Sequence, residues 1–279
     1  MSGKLLIVGD SFCSRYVEDT KKYHSVKKKP YIWKVPKFKY WFDYLGDKLN
    51  LELLNLSFRG AGNQQIFDNT LYALNTNDDI EFAVICWSEF DRIDLLNGSS
   101  ENRNSVHINL SSTYTDINSS NTYRNLSKKY NYFFTEDKLF DAMCMMDKFI
   151  NYSITVDNLL KHRKIKNIQA FSVTPFLSIK KQNRMSQISL FNEYLNHELF
   201  DKLNDENFFM YPGVKELGGG NFNDLTIDNE NYVLNSEKNT NKELADQGWI
   251  IDNHPNGEGN KVIFDKLFRF ILDKYKKIV

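Results

Sequence analysis

Short apolar runs alternate with stretches of helical periodicity along much of this chain, and the alternation limits the folds it can adopt. Apolar runs that predict strands cover residues 5–8, 51–56, 82–87 and 168–173. Apolar residues at spacings of three and four predict helices over residues 41–49, 65–74, 141–161 and 260–277. Runs this short and this apolar suit strands that are buried on both faces. The sequence therefore predicts an α/β fold with a mostly parallel sheet.

Three long polar segments interrupt the alternation, at residues 17–40, 97–131 and 204–248. We expect them to be insertions in one domain spanning residues 1–279, because the sequence contains neither a repeat nor an interdomain linker. The first insertion interleaves lysines with aromatic residues and follows the first predicted strand. Long loops are usually functional, so we predict a lid that shapes the substrate site. A solvated insertion, or a surface that binds an anionic glycan, single-stranded nucleic acid or a protein, is the alternative.

Charge and cysteine content narrow the classes of partner and compartment. The 36 basic and 36 acidic residues give a formal net charge of zero, which offers no field to attract nucleic acid. No apolar run is long enough for a transmembrane helix or a signal peptide, so no membrane partner is expected. Cys13, Cys86 and Cys144 are odd in number and lack metal-site spacing, which favours a reducing compartment. We expect a cytoplasmic or virion-associated protein and leave its oligomeric state open.

Polar residues and glycines follow the predicted strands, and the carboxyl ends of parallel strands share one edge of a sheet. Asp10 and Ser11 follow the first strand, and Trp87 and Ser88 close the third. The stretch "NLSFRGAGN" leads out of the second strand and contains Gly60, Gly62 and Asn63. The stretch "DNHP", which includes Asp252 and His254, precedes the last helix. We expect these residues to surround one site.

These residue types match the requirements of acyl transfer at a serine. Ser11 supplies a hydroxyl nucleophile, His254 a proton acceptor, and Asp252 a carboxylate to orient the imidazole. An oxyanion hole would use the N–H groups of Ser11 and Gly60. The side chain of Asn63 or Ser88 would complete the hole. The residues expected to contact the substrate are Asp10, Trp87 and Gly62. Asn63 could instead cap the following helix, Trp87 could be a core residue, and Asp10 could bond only to its own turn.

The order of these blocks resembles the SGNH, or GDSL-type, hydrolases over nearly the whole chain. The matching stretches are "IVGDS", "NLSFRGAGN", "TPF" and "DNHP", which place Ser11, Gly60 and His254 on the family's nucleophile, oxyanion glycine and histidine. The resemblance implies a three-layer α/β/α sandwich of flavodoxin-like type. It also implies a serine esterase without metal or cofactor, acting on small acyl esters, with O-acetylated carbohydrate as the leading substrate. The Lys- and Asn-rich composition resembles members from bacteriophages and AT-rich bacteria.

Two positions depart from the family pattern and keep other functions open. Ser88 stands where the family has an oxyanion asparagine, so either Ser88 or Asn63 replaces it or the hole has one donor fewer. The acid and histidine are spaced Asp-x-His where the family has Asp-x-x-His, so either Asp252 still reaches the imidazole or a Ser-His dyad uses a backbone carbonyl to orient His254. The alternatives are a catalytically impaired binding or structural protein, such as a virion or surface component, and an O-acyltransferase that uses the same residues.

Overall fold

The structure is a computed structural model, and it describes twelve parts of the chain. The described residues are 3–15, 23–24, 30–31, 38–90, 92–96, 105–109, 142–173, 192, 194–203, 205–215, 218–227 and 254–276.

Four parallel strands form the main sheet: β1 (Lys4–Val8), β4 (Glu52–Asn55), β5 (Ile80–Trp87) and β8 (Lys166–Phe171). Their order across the sheet is β4-β1-β5-β8. This is the strand order of flavodoxin-like doubly wound sheets, in which the second of these strands along the chain lies outside the first. The prediction of an α/β fold with a parallel sheet is confirmed.

Helices cover both faces of the sheet, which makes the predicted three layers. Successive residues of a strand point to opposite faces, and neighbouring residues of β1 and β5 belong to two separate apolar cores. One core contains α2 (Asn63–Thr76) and α3 (Ala142–His162). The other contains α1 (Trp41–Leu49), α4 (Phe222–Ile227) and α5 (Gly257–Lys274).

Two small hairpins lie outside the predicted pattern. Strands β2 (Tyr23–His24) and β3 (Pro30–Tyr31) pair within the first insertion. Strands β6 (Arg92–Leu96) and β7 (Ser105–Asn109) pair in antiparallel fashion after β5. Neither hairpin is among the predicted strands. β2 and β3 have only two residues each. β6 (RIDLL) and β7 (SVHIN) do alternate polar and apolar residues, but they are short and lie beside and within the second polar insertion. The rest of the three insertions lies mostly outside the described residues.

Each strand and helix that the sequence predicts is present, with ends that differ by a few residues. In the part of the chain that the structure describes, no helix is long and apolar enough to cross a membrane.

Candidate active site

The turn after β1 presents Ser11 at the carboxyl edge of the sheet. Asp10 closes this turn: its carboxylate accepts from Phe12 N–H at 3.0 Å and its carbonyl from Cys13 N–H at 3.1 Å. Asn55, at the end of β4, donates its side-chain amide to the Cys13 carbonyl at 2.8 Å. The turn is therefore fixed both to its own strand and to the neighbouring one.

The structure brings Ser11 and His254 together from opposite ends of the chain. Ser11 Oγ and His254 Nε2 lie 2.6 Å apart, within hydrogen-bond reach. Both side chains are half-buried. The Phe12 ring packs against the imidazole, with 5.0 Å between ring centroids. An imidazole in this position can take the hydroxyl proton of Ser11.

Two backbone N–H groups, those of Ser11 and Gly60, are candidates for an oxyanion hole. The loop that carries Gly60 is joined to the end of β1, because the Phe58 N–H donates to the Gly9 carbonyl at 3.0 Å. No described residue accepts a hydrogen bond from the N–H of Ser11 or of Gly60. Gly60 is the third residue of a turn that the Ala61 N–H closes onto the Phe58 carbonyl at 3.1 Å. Its φ of 75° lies in the left-handed region, where glycine is favoured at this turn position.

The two predicted side-chain donors for the hole are occupied elsewhere. Asn63 is buried, and its amide N–H groups donate to the carbonyls of Ser88 and Glu89 at 3.3 and 3.4 Å. Its amide oxygen accepts from Ser88 N–H at 2.8 Å, so Asn63 fixes the end of β5 and does not cap α2. The Ser88 hydroxyl is fully buried and donates to Asp10 Oδ2 at 3.1 Å. Both side chains are thus engaged in hydrogen bonds within the protein, and their role in the hole stays a prediction.

A buried carboxylate lies directly beneath the Ser11 turn. Asp10 is 0% exposed, and its Oδ2 accepts from the hydroxyls of Ser88 and Ser172 at 3.1 and 2.7 Å. The Arg92 guanidinium lies 3.4 Å from the same oxygen and pairs with Glu89 at 2.9 Å. Asp10 thus ties the ends of β1, β5 and β8 to β6. No part of Asp10 reaches the surface, so its burial gives no support to the predicted contact with substrate.

Trp87 and Gly62 are also not placed to contact substrate. The Trp87 side chain is 0% exposed; its indole N–H donates to Gln169 Oε1 at 2.6 Å, and its ring packs edge-on against Phe149. It is a core residue. The Gly62 N–H donates to Asp94 Oδ1 at 2.8 Å, and a Cβ on Gly62 would lie 2.7 Å from Asp94 Oδ2. The absence of a side chain at Gly62 therefore makes room for this carboxylate.

Asp252 and the "TPF" stretch lie outside the described residues. The predicted role of Asp252 as the orienting carboxylate stays a prediction. Among the described residues, no group of three or more His, Cys, Asp or Glu side chains could hold a metal ion.

Several residues that shape the site are absent from the sequence prediction. Their side chains reach partners far away along the chain, as the Ser172 hydroxyl does on Asp10. The only local signal is a polar residue inside an apolar pattern, as at Asn260, which stands at the start of the last predicted helix. Four more residues near the site make such long-range side-chain hydrogen bonds: Trp41, Asn55, Arg92 and Asp94.

Comparison with known proteins gives similarity only at the level of solved structures. No family model and no curated protein matches the chain. A structure described as a lipolytic protein of the G-D-S-L family from Desulfitobacterium hafniense has 12% identity and a TM-score of 0.42, covering 96% of this chain and 99% of that one. A catalytic mutant of an acetylxylan esterase from Geobacillus stearothermophilus has 11% identity and a TM-score of 0.44, covering 96% and 94%. A G-D-S-L family member from Veillonella parvula has 11% identity and a TM-score of 0.40, covering 95% and 96%. At these values the function has to be argued from this chain's own residues.

Proposed function

We propose that this protein is a serine ester hydrolase with Ser11 as nucleophile and His254 as general base. The observation that carries the proposal is the 2.6 Å separation of Ser11 Oγ and His254 Nε2. A serine hydroxyl is a weak nucleophile until a neighbouring base removes its proton. A catalytically impaired scaffold would have no need to keep these two atoms within hydrogen-bond reach.

The reaction proceeds in two halves at the same pair of side chains. Ser11 Oγ attacks the ester carbonyl as His254 Nε2 takes its proton, and the imidazolium then protonates the leaving alcohol. Water attacks the acyl-serine ester with His254 again as base, releasing the acid and restoring Ser11. We further propose that Asp252 orients His254.

The negative charge of each tetrahedral intermediate would be held by two backbone donors. These are the N–H groups of Ser11 and Gly60, which donate to no other described residue. Because Asn63 and Ser88 are bonded elsewhere, the hole has one donor fewer than the family pattern. Loss of one such donor typically lowers the rate about 100- to 1000-fold. We therefore expect slow turnover unless a substrate group supplies the missing hydrogen bond.

The substrate class we propose is a small acyl ester, with O-acetylated carbohydrate as the leading candidate. Support for this comes from the family resemblance and from the polar, aromatic-bearing insertions in the sequence. An O-acyltransferase would use the same Ser11 and His254 chemistry with a sugar hydroxyl in place of water. Product analysis separates the two: a hydrolase releases acetate in the presence of an acceptor glycan, and a transferase acetylates the acceptor.

Covalent labelling tests the nucleophile. A fluorophosphonate probe is expected to add once, at Ser11, with a mass increase that Ser11→Ala abolishes. Ser14→Ala is the matched control, because Ser14 lies in the same turn and its hydroxyl bonds to the Ser11 carbonyl at 3.5 Å. Labelling that survives Ser11→Ala would refute the proposal, as would the absence of labelling in the unaltered protein.

Hydrolysis of p-nitrophenyl acetate tests the base. His254→Ala is expected to lower kcat at least 1000-fold, because Ser11 loses its proton acceptor. His197→Ala is the matched control: His197 Nε2 pairs with Asp147 at 2.9 Å, and no contact with Ser11 is present among the described residues. Activity that survives His254→Ala undiminished would refute the proposed role of His254, and no activity of the unaltered protein above the uncatalysed rate would favour the impaired scaffold.

A further inference from the structure

We propose that Trp41 and Asn260 are positioning residues that set the distance between the Ser11 turn and the His254 loop. Together they form a continuous hydrogen-bonded path from Phe12 to Pro255, here called the Trp41–Asn260 bridge. The inference rests on the proposed function of Ser11 and His254.

Trp41 holds the nucleophile side of the bridge. It is the first residue of α1 and is 0% exposed. Its indole N–H donates to the Phe12 carbonyl at 3.0 Å. Phe12 directly follows Ser11, so this bond fixes the peptide next to the nucleophile. A buried indole N–H that bonds to a main-chain carbonyl has little freedom to move without losing that bond.

Asn260 holds the histidine side. It is 1% exposed, and its amide oxygen accepts the backbone N–H of Trp41 at 3.0 Å. That N–H is one of the donors that a helix start leaves unsatisfied, and here a residue of another helix satisfies it. The Asn260 amide nitrogen donates to the carbonyls of Pro255 and Asn256 at 3.2 and 2.9 Å. These two residues directly follow His254.

The geometry at Ser11 therefore depends on two buried side chains that do not touch the reacting atoms. Misplacement of a reacting group by about 1 Å can cost about 100-fold in rate. The Phe12 ring rests on the His254 imidazole, so a shift of the turn also moves a contact of the base. Loss of either bridge residue should lower kcat while leaving substrate affinity nearly unchanged.

Two variants test the bridge, and one control tests the packing. Trp41→Phe removes the indole N–H and keeps an aromatic ring; Asn260→Ala removes all three hydrogen bonds of the side-chain amide. For each variant we expect the rate of fluorophosphonate labelling at Ser11 and kcat for p-nitrophenyl acetate to fall about 10- to 100-fold. KM should stay within twofold of that of the unaltered protein. Phe222→Leu is the control, because Phe222 packs edge-on against Trp41 at 5.3 Å and makes none of the bridge hydrogen bonds. It should lower Tm and leave kcat unchanged.

The double variant asks whether the two residues act along one path. Residues in one hydrogen-bond network show non-additive effects, so we expect the double variant to lose less than the product of the two single losses. Unchanged kcat in Trp41→Phe would overturn the inference, as would a loss of kcat in Phe222→Leu equal to that in Trp41→Phe. If Asn260→Ala does not fold, Trp41→Phe alone decides the question.

A crystal structure of Trp41→Phe separates failure of the bridge from failure of the proposed function. The inference predicts a Ser11 Oγ to His254 Nε2 distance clearly longer than the 2.6 Å of the unaltered protein. An unchanged distance refutes the bridge, whatever the activity. If the unaltered protein is not labelled at Ser11, the proposed function fails, and the distance in the variant still decides whether the bridge positions these two side chains.

Discussion

At the scale of single residues, Asp10 is a fully buried carboxylate whose charge is balanced by neighbouring donors. Its Oδ2 faces two hydroxyl donors and one guanidinium, with no exposure to water that could replace them. An asparagine at this position would be uncharged. Its NH2 group would replace one of the two carboxylate oxygens and would face either the Phe12 N–H or the two hydroxyls and the guanidinium, all of which are donors. The Arg92 side chain is only 16% exposed. It would lose its contact with a charged Asp10 and keep its ion pair with Glu89.

We therefore expect Asp10→Asn to lower the free energy of unfolding by about 3 kcal/mol, a typical cost of breaking a buried ion pair. Urea denaturation monitored by tryptophan fluorescence measures the change. Asp47→Asn is the control: Asp47 pairs with Lys39 at the surface and is mostly exposed, so its loss should cost no more than about 1 kcal/mol. Equal destabilisation by the two variants would show that the buried network contributes no more than a surface pair.

At the scale of elements, the hairpin strand β6 supplies the cap of α2. Asp94 accepts from the N–H groups of Gly62 and Gln65, both at 2.8 Å. Gly62 is the N-cap residue of α2 and Gln65 lies in its first turn, where backbone N–H groups have no intrahelical partners. A carboxylate there also interacts favourably with the positive end of the helix dipole. The hairpin therefore fixes the loop that carries Gly60.

Asp94→Ala should destabilise the protein by about 1 kcal/mol, the usual cost of losing a helix N-cap. Asp94→Asn, which keeps one acceptor oxygen, should lose less. Thermal unfolding followed by circular dichroism compares the two, with Asp79→Ala as a control that removes only a partly exposed ion pair with Lys4. A stability of Asp94→Ala no lower than that of the control would contradict the capping role.

At the scale of the whole molecule, burial divides the three cysteines into two classes. Cys13 and Cys86 are buried, and Cys144 is exposed on α3. Burial, together with the neighbouring Cys86 thiol and the Asp10 charge, raises the pKa of the Cys13 thiol well above its ordinary value. A raised pKa leaves less of the reactive thiolate at any given pH, so Cys13 should be inert in the folded protein.

We expect one fast-reacting thiol per native chain at pH 8, that of Cys144, and two more after denaturation. Titration with a chromogenic disulfide reagent, before and after addition of guanidinium chloride, gives both counts, and Cys144→Ser should abolish the fast phase. Fast reaction of two or three thiols in the native protein would mean that the sheet core near the Ser11 turn opens readily.

The sequence by itself determined the strands and helices of the main sheet. Hydrophobic periodicity is a local property, so these elements could be predicted to within a few residues. A parallel sheet places the strand ends at one edge, which is why Ser11 was expected there; the oxyanion role of Gly60 stays a prediction. The β6–β7 hairpin was not predicted, although RIDLL and SVHIN alternate polar and apolar residues, because each run has only five residues and the second lies within a long polar insertion.

Only the tertiary structure decided how the polar groups are used. Ser88, Asn63 and Asp10 were candidates for the oxyanion or the substrate, and each is instead bonded to a partner on another element. The bond between Trp41 and Asn260 joins residues 219 positions apart. A side chain donates to whichever acceptor the folded backbone brings within about 3 Å. That choice depends on the register and packing of distant segments, which local sequence does not encode.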